Sequence, residues 1–115
     1  MAALSDDELR AGLAALTAWE LGEGEIVTSY RFDDFRQAVA FVVRAGFEAE
    51  AADHHPDLDV RYNRVRVGLS THSEGGVTDK DLQLAAALDA VSGLRGPNAT
   101  TGLGGPNATT GLRGQ

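Results

Sequence analysis

Apolar residues recur every three to four positions in three stretches of this chain and every second position in the stretches between them, which separates helices from strands. Leu9, Leu13 and Leu16 follow one another at helical spacing. Ser5 and Glu8 form a capping box ahead of them, with Leu4 and Leu9 at the staple positions. This first helix is expected to end near Thr17. Gly22 and Gly24 mark a turn. Ile26, Thr28, Tyr30 and Phe32 then alternate with Val27, Ser29 and Arg31, a strand rich in β-favouring residues. Trp19 to Leu21 is expected to pair with it across the glycine turn. Asp33 and Asp34 suit the start of a second helix, as caps and as charges facing its positive end. Phe35, Ala38, Val39, Val42, Ala45 and Ala49 form its apolar stripe. Gly46 inside that helix costs roughly 1 kcal/mol relative to alanine, which points to close packing there. Pro56 stops the helix, because it drives His55 toward extended geometry.

A short strand is expected around Val60 to Tyr62, with a tight turn at Asn63 and Arg64. Val65, Val67 and Leu69 then alternate with polar positions, a strand with one apolar face. Gly75 and Gly76 form a loop, and Thr78 to Val91 is a third helix with Leu82, Ala85, Leu88 and Val91 along one side. The order predicts an α+β fold: a four-stranded antiparallel sheet with three helices packed on one face, in the sequence α-β-β-α-β-β-α. The uncovered face must meet water or another subunit. Residues 1–92 form this domain. Residues 93–115 carry Gly-Pro-Asn-Ala-Thr-Thr-Gly-Leu at 96–103 and again at 105–112, too little apolar surface to fold alone, and are expected to be a flexible tail. Asn98 and Asn107 open glycosylation sequons that are best explained as by-products of that repeat.

Composition narrows the function classes. A chain of 115 residues makes one domain with a modest core. The net charge of −7 opposes direct nucleic-acid binding. No apolar run approaches the ~20 residues of a membrane span. The N-terminal Met-Ala-Ala-Leu-Ser-Asp-Asp-Glu does not read as a secretory signal. With no cysteine, thiolate chemistry and disulfides are excluded, and a reducing, cytoplasmic location is expected.

The chemistry-bearing residues lie in the middle of the chain. All three histidines, His54, His55 and His72, fall there, and histidine is the side chain best suited to moving protons near neutrality. The strand from Val65 to Ser70 can return His72 to the loop that carries His54 and His55. Glu50, four residues before His54, shares its face if the helix persists, and would then hold one imidazole tautomer; otherwise it is a surface ion pair. Asp81 completes a capping box with Thr78 and also stands just past the His72 loop. Trp19 is either core or a platform for a flat heterocycle. Zinc is disfavoured as a cofactor, since adjacent His54 and His55 in extended chain point to opposite sides.

The spacing resembles that of the pterin-4a-carbinolamine dehydratases. Glu50, His54-His55-Pro56, Tyr62, His72 and Asp81 stand at the intervals of that family's signature. Leu69-Ser70-Thr71-His72, Gly76-Val77-Thr78, Asp81-Leu82-Gln83-Leu84-Ala85 and Tyr30-Arg31-Phe32-Asp33-Asp34-Phe35 are also similar to it, and Trp19 takes the place of its tryptophan. The resemblance spans roughly residues 4 to 91. It implies a lyase that removes water from a 4a-hydroxytetrahydropterin to give the quinonoid dihydropterin, in pterin cofactor recycling, with no metal or redox cofactor. It also implies His54 and His72 as acid and base, His55 as a binding or shuttling group, and Glu50 and Asp81 as orienting carboxylates. Trp19, Pro56 and Thr71 are the corresponding substrate-binding positions. The expected partners are the small-molecule pterin and further copies in a homodimer or homotetramer, with no nucleic acid and no membrane. The alternative on the same fold is a noncatalytic assembly scaffold or a transcriptional coactivator.

Overall fold

A computed structural model describes residues 2–94; the repeated segment, with Asn98 and Asn107, lies outside the described residues. Helix α1 is Asp6–Leu13, strand β1 Glu20–Leu21, β2 Ile26–Arg31, helix α2 Phe35–Ala52, β3 Asp57–Arg61, β4 Arg64–Leu69 and helix α3 Asp79–Ser92. The four strands are antiparallel in the order β1-β2-β4-β3. The expected α+β architecture is therefore present.

Register explains why one face is covered. Ile26, Thr28 and Tyr30 of β2 stand opposite Leu69, Val67 and Val65 of β4, and all six are buried. Leu9 of α1, Ala38, Phe41 and Ala45 of α2, and Leu84, Ala85 and Leu88 of α3 pack against them. The alternate residues form the opposite face, where Ser29, Arg66 and Asp59 share one cross-strand row and Arg31, Arg64 and Arg61 the next. This face is mostly polar and charged. On the inner face, the buried Thr28 hydroxyl donates to the Ala18 carbonyl at 2.6 Å.

Several boundaries differ from the sequence expectation. Helix α1 stops at Leu13, because three-residue backbone bonds from Leu16 to Leu13 and from Trp19 to Leu16 tighten the chain and turn both apolar side chains into the core. Strand β3 starts directly after Pro56. The hairpin turn consists of Tyr62 and Asn63, with Tyr62 at φ 51, and Arg64 already belongs to β4.

Helix α2 is capped by Asp34, whose carboxylate accepts from the Gln37 N–H at 2.8 Å. Its buried stripe is Ala38, Phe41, Ala45 and Ala49, whereas Phe35 and Val39 face outward with Val43 and Phe47. Among the described residues nothing lies within 4 Å of where a Gly46 Cβ would project, so no packing among them requires that glycine. In α3, Leu84 and Asp81 are buried, while Leu82 and Val91 are half-buried. Arg44 of α2 donates Nε–H to the Val91 carbonyl at 2.8 Å, which satisfies an otherwise orphaned group at the end of α3.

Candidate active site

Two loops and the first turn of α3 meet at one buried carboxylate. Asp81 is 0% exposed. It is the third residue of α3, and its Oδ2 accepts the Thr78 backbone N–H at 2.9 Å in the capping box that begins the helix. The same oxygen accepts the Thr71 hydroxyl at 2.8 Å. Oδ1 receives Nε2 of His54 at 2.5 Å. A carboxylate in this position accepts, which makes Nε2 of His54 the donor and leaves Nδ1 turned away from Asp81.

His54 reaches Asp81 because α2 ends abruptly. Asp53 adopts the left-handed conformation at φ 50, and the His54 N–H bonds back to the Ala49 carbonyl at 3.1 Å. This is the six-to-one closure that terminates helices. The reversal takes His54 out of helical phase with Glu50. The expectation that those two share a helix face is therefore corrected: Glu50 Oε1 pairs at 2.7 Å with Nε2 of His55. Both side chains are mostly exposed, so this pair orients His55 without much energetic weight. As expected of adjacent residues in extended chain, the two imidazoles diverge, one toward Asp81 and one toward solvent.

His72 opens a single 3-10 turn, His72–Glu74, closed by Gly75 at φ 75. The Thr71 N–H bonds to the Gly76 carbonyl at 2.8 Å, pinning the loop across its base. The His72 imidazole is exposed and lines a cavity of about 320 Å3 together with Glu25, Asp57, Ser70 and Gly76. Asp57, the first residue of β3, follows Pro56 directly, but His54, His55 and Pro56 are not among the residues that line this cavity. The two histidine loops are tied together elsewhere, since Thr71, next to His72, and His54 bond to the two oxygens of the same carboxylate. Pro56 is half-buried between His55 and β3.

Two expected substrate-binding positions have other duties. Trp19 is 4% exposed, and its indole N–H donates to Asp89 Oδ1 at 3.0 Å. Asp89 lies two turns further along α3 than Asp81, ~12 Å away at 1.5 Å per residue. Trp19 is thus a core residue, packed edge-on to Tyr30. The Thr71 hydroxyl is committed to Asp81, so its side chain orients the site instead of presenting a free donor to substrate. Sequence reasoning missed the Thr78 hydroxyl, which lies 2.8 Å from that of Thr71. The capping box gave notice of Thr78 and Asp81 as a pair, but not of their contact with the His72 loop. Among the described residues no three His, Asp or Glu side chains group as metal ligands.

The structure thus sets one histidine on a buried carboxylate, with a second histidine on the adjoining loop and a four-stranded sheet behind them. The model of the pterin 4 alpha carbinolamine dehydratase family matches residues 2–91, and the chain belongs to that family. A protein of Chloroflexus aurantiacus, provisionally named a pterin-4-alpha-carbinolamine dehydratase, is 50% identical over 93 residues, covering 81% of this chain and 100% of the relative. The crystal structure of a transcriptional coactivator/pterin dehydratase from Brucella melitensis superposes with a TM-score of 0.76 at 41% identity, covering 79% of this chain and 99% of that one. A pterin dehydratase-like protein identified as a RuBisCO assembly factor of the alpha-carboxysome gives a TM-score of 0.58 at 20% identity, over 66% of this chain and 90% of that one; this likeness concerns the fold alone.

Proposed function

We propose that the chain dehydrates a 4a-hydroxytetrahydropterin to the quinonoid dihydropterin by histidine acid–base catalysis. The observation that carries this reading is the Asp81–His54 pair, joined through Thr71 to the loop of His72. The reaction breaks the C4a–O bond, releases the hydroxyl as water with a proton from an acid, and forms a C4a–N double bond as a base removes the ring N–H proton. It needs a proton donor and a proton acceptor on opposite sides of one bond system, and no electron acceptor. His54 Nδ1 serves as the base, because its proton is held on Nε2 by Asp81. His72, whose imidazole has no hydrogen bond to any described residue, protonates the leaving hydroxyl. His55 binds substrate or passes the proton to water. Side chains so placed contribute typically 10²–10⁴-fold each.

Family membership and the 50% identical relative support the substrate class. The test is turnover of freshly generated carbinolamine followed by ultraviolet absorbance, with His54→Ala and His72→Ala as variants. Wild-type turnover that both replacements abolish is expected. A flat trace for the wild type would remove the enzyme reading and favour an assembly scaffold or coactivator on this fold.

The chain acts as a homodimer or homotetramer in this proposal. Phe35, Val39, Val43 and Phe47 are 53%, 40%, 53% and 71% exposed and recur every fourth residue, so they form one outward stripe on α2. A stripe of this kind on a small domain is the usual mark of a buried interface. The cytoplasmic location expected from the sequence belongs to the same proposal, and cell fractionation tests it. Among the described residues no helix is long and apolar enough to cross a membrane.

A further inference from the structure

We propose that Thr78 is a positioning residue of the active site, acting through the Thr71 hydroxyl to keep Asp81 turned so that it holds His54 in its Nε2–H form. The inference rests on the dehydratase reading for its kinetic arm only.

The argument starts from proton counting. Thr71 has one hydroxyl proton, and it is donated to Asp81 Oδ2. The contact of 2.8 Å between the two threonine hydroxyls must therefore run the other way, with Thr78 donating and Thr71 accepting. Thr78 thus contributes twice: its backbone N–H binds Asp81 Oδ2 directly, and its hydroxyl fixes the rotor of Thr71, which binds the same oxygen. With two donors converging on Oδ2, the carboxylate has one orientation, and Oδ1 is left for His54 alone. Thr78 and Asp81 are both fully buried, so water cannot replace a missing donor there without reorganisation. The chain of donors begins on α3, crosses to the loop of His72 and ends on the loop of His54. It couples the two proposed proton-transfer groups through one rigid path.

Thr78 itself does not line the cavity and, among the described residues, makes no hydrogen bond to an imidazole. Loss of its hydroxyl frees Thr71 to rotate. Loss of the Thr71 hydroxyl removes one donor from Oδ2 outright and strands the Thr78 hydroxyl, so the second change has the larger effect.

The test uses the full chain with 15N-labelled histidine and four variants: Thr78→Val, Thr78→Ser, Thr71→Val and Thr71→Ser. In the neutral range the wild-type His54 nitrogens are expected to show a single Nε2–H tautomer, and both valine variants a mixture. With freshly generated carbinolamine, kcat is expected to fall on the order of tenfold in Thr78→Val and a hundredfold in Thr71→Val, with KM within about twofold, as misorientation of a catalytic group predicts. The serine variants, which keep the hydroxyl and lose only a methyl, are expected to recover both the tautomer and kcat. A Thr78→Val protein that is folded by circular dichroism and retains the single tautomer overturns the proposal. So does a Thr78→Ser protein as impaired as Thr78→Val, which would assign the effect to methyl packing. If Thr78→Val does not fold, Thr78→Ala takes its place, and a folded Thr78→Ala protein that retains the single tautomer overturns the proposal in the same way. Absence of wild-type turnover would instead refute the dehydratase reading, while the tautomer measurement would still decide the role of Thr78.

Discussion

Replacing Asp81 with asparagine changes one atom pair and inverts the hydrogen-bond logic of the site. The Oδ2 side of the carboxylate faces two donors, the Thr71 hydroxyl and the Thr78 N–H. An amide in the same place must turn its carbonyl toward them, so its NH2 faces His54. Nε2 of His54 must then accept instead of donate, and the imidazole proton moves to Nδ1, the nitrogen proposed to act as base. The rate loss should approach the whole contribution of one general base, 10²–10⁴-fold in kcat. At 1.36 kcal/mol per factor of ten, this is about 3–5 kcal/mol of transition-state stabilisation. The cost to folding is smaller. Thr71 and Thr78 keep an acceptor, and only the charge assistance of the buried bonds is lost, about 1–3 kcal/mol in total. Stopped-flow absorbance on carbinolamine formed in situ measures the first quantity, and urea unfolding the second. An Asp81→Asn protein that is stably folded and turns over within threefold of the wild type would refute the assignment of His54 as a base oriented by Asp81.

Three further outcomes are expected. Asp89→Ala leaves the buried Trp19 N–H and Tyr30 O–H without their shared acceptor, and should cost about 2–6 kcal/mol by urea unfolding, at about 1–3 kcal/mol per stranded donor, with little change in KM. Burial, and then the hydrogen bond and charge of Asp89, push the Tyr30 phenol far above its ordinary value. The folded chain therefore keeps a proton that the unfolded chain releases above about pH 10, and stability is complete below that pH and falls above it by about 1.4 kcal/mol per unit. Tyr30→Phe should flatten that alkaline slope, and equal slopes in the two proteins would contradict it. Phe47→Asp places a charge in the outward stripe of α2 and should shift sedimentation toward the monomer while the helical circular dichroism is retained; an unchanged sedimentation coefficient, whether monomeric or assembled, argues against that stripe as the interface.

Much of the architecture was legible because it is encoded locally. The capping boxes at Ser5–Glu8 and Thr78–Asp81, the alternation from Ile26 to Arg31, and the Val65-Val67-Leu69 face each depend on residues a few positions apart, so periodicity recovered them. Misplaced details came from longer-range competition. Phe35 and Val39 read as core because they are apolar at helical spacing, yet the inward side of α2 is occupied by Ala38, Phe41, Ala45 and Ala49. Periodicity locates an apolar stripe, but α2 carries two, and nothing local says which one faces the sheet.

The same division holds for the site. The amino-acid sequence by itself determined the α+β plan, the three histidines and two carboxylates, and through their spacing the family. Which carboxylate serves which imidazole was decided only by tertiary structure. A left-handed turn at Asp53 swings His54 away from its helical neighbour Glu50 and onto Asp81, a partner 27 residues distant in the chain. Hydrogen bonding follows proximity in space, and burial sets its strength, so the pairing proposed to govern proton transfer exists only once the helices have closed over the sheet.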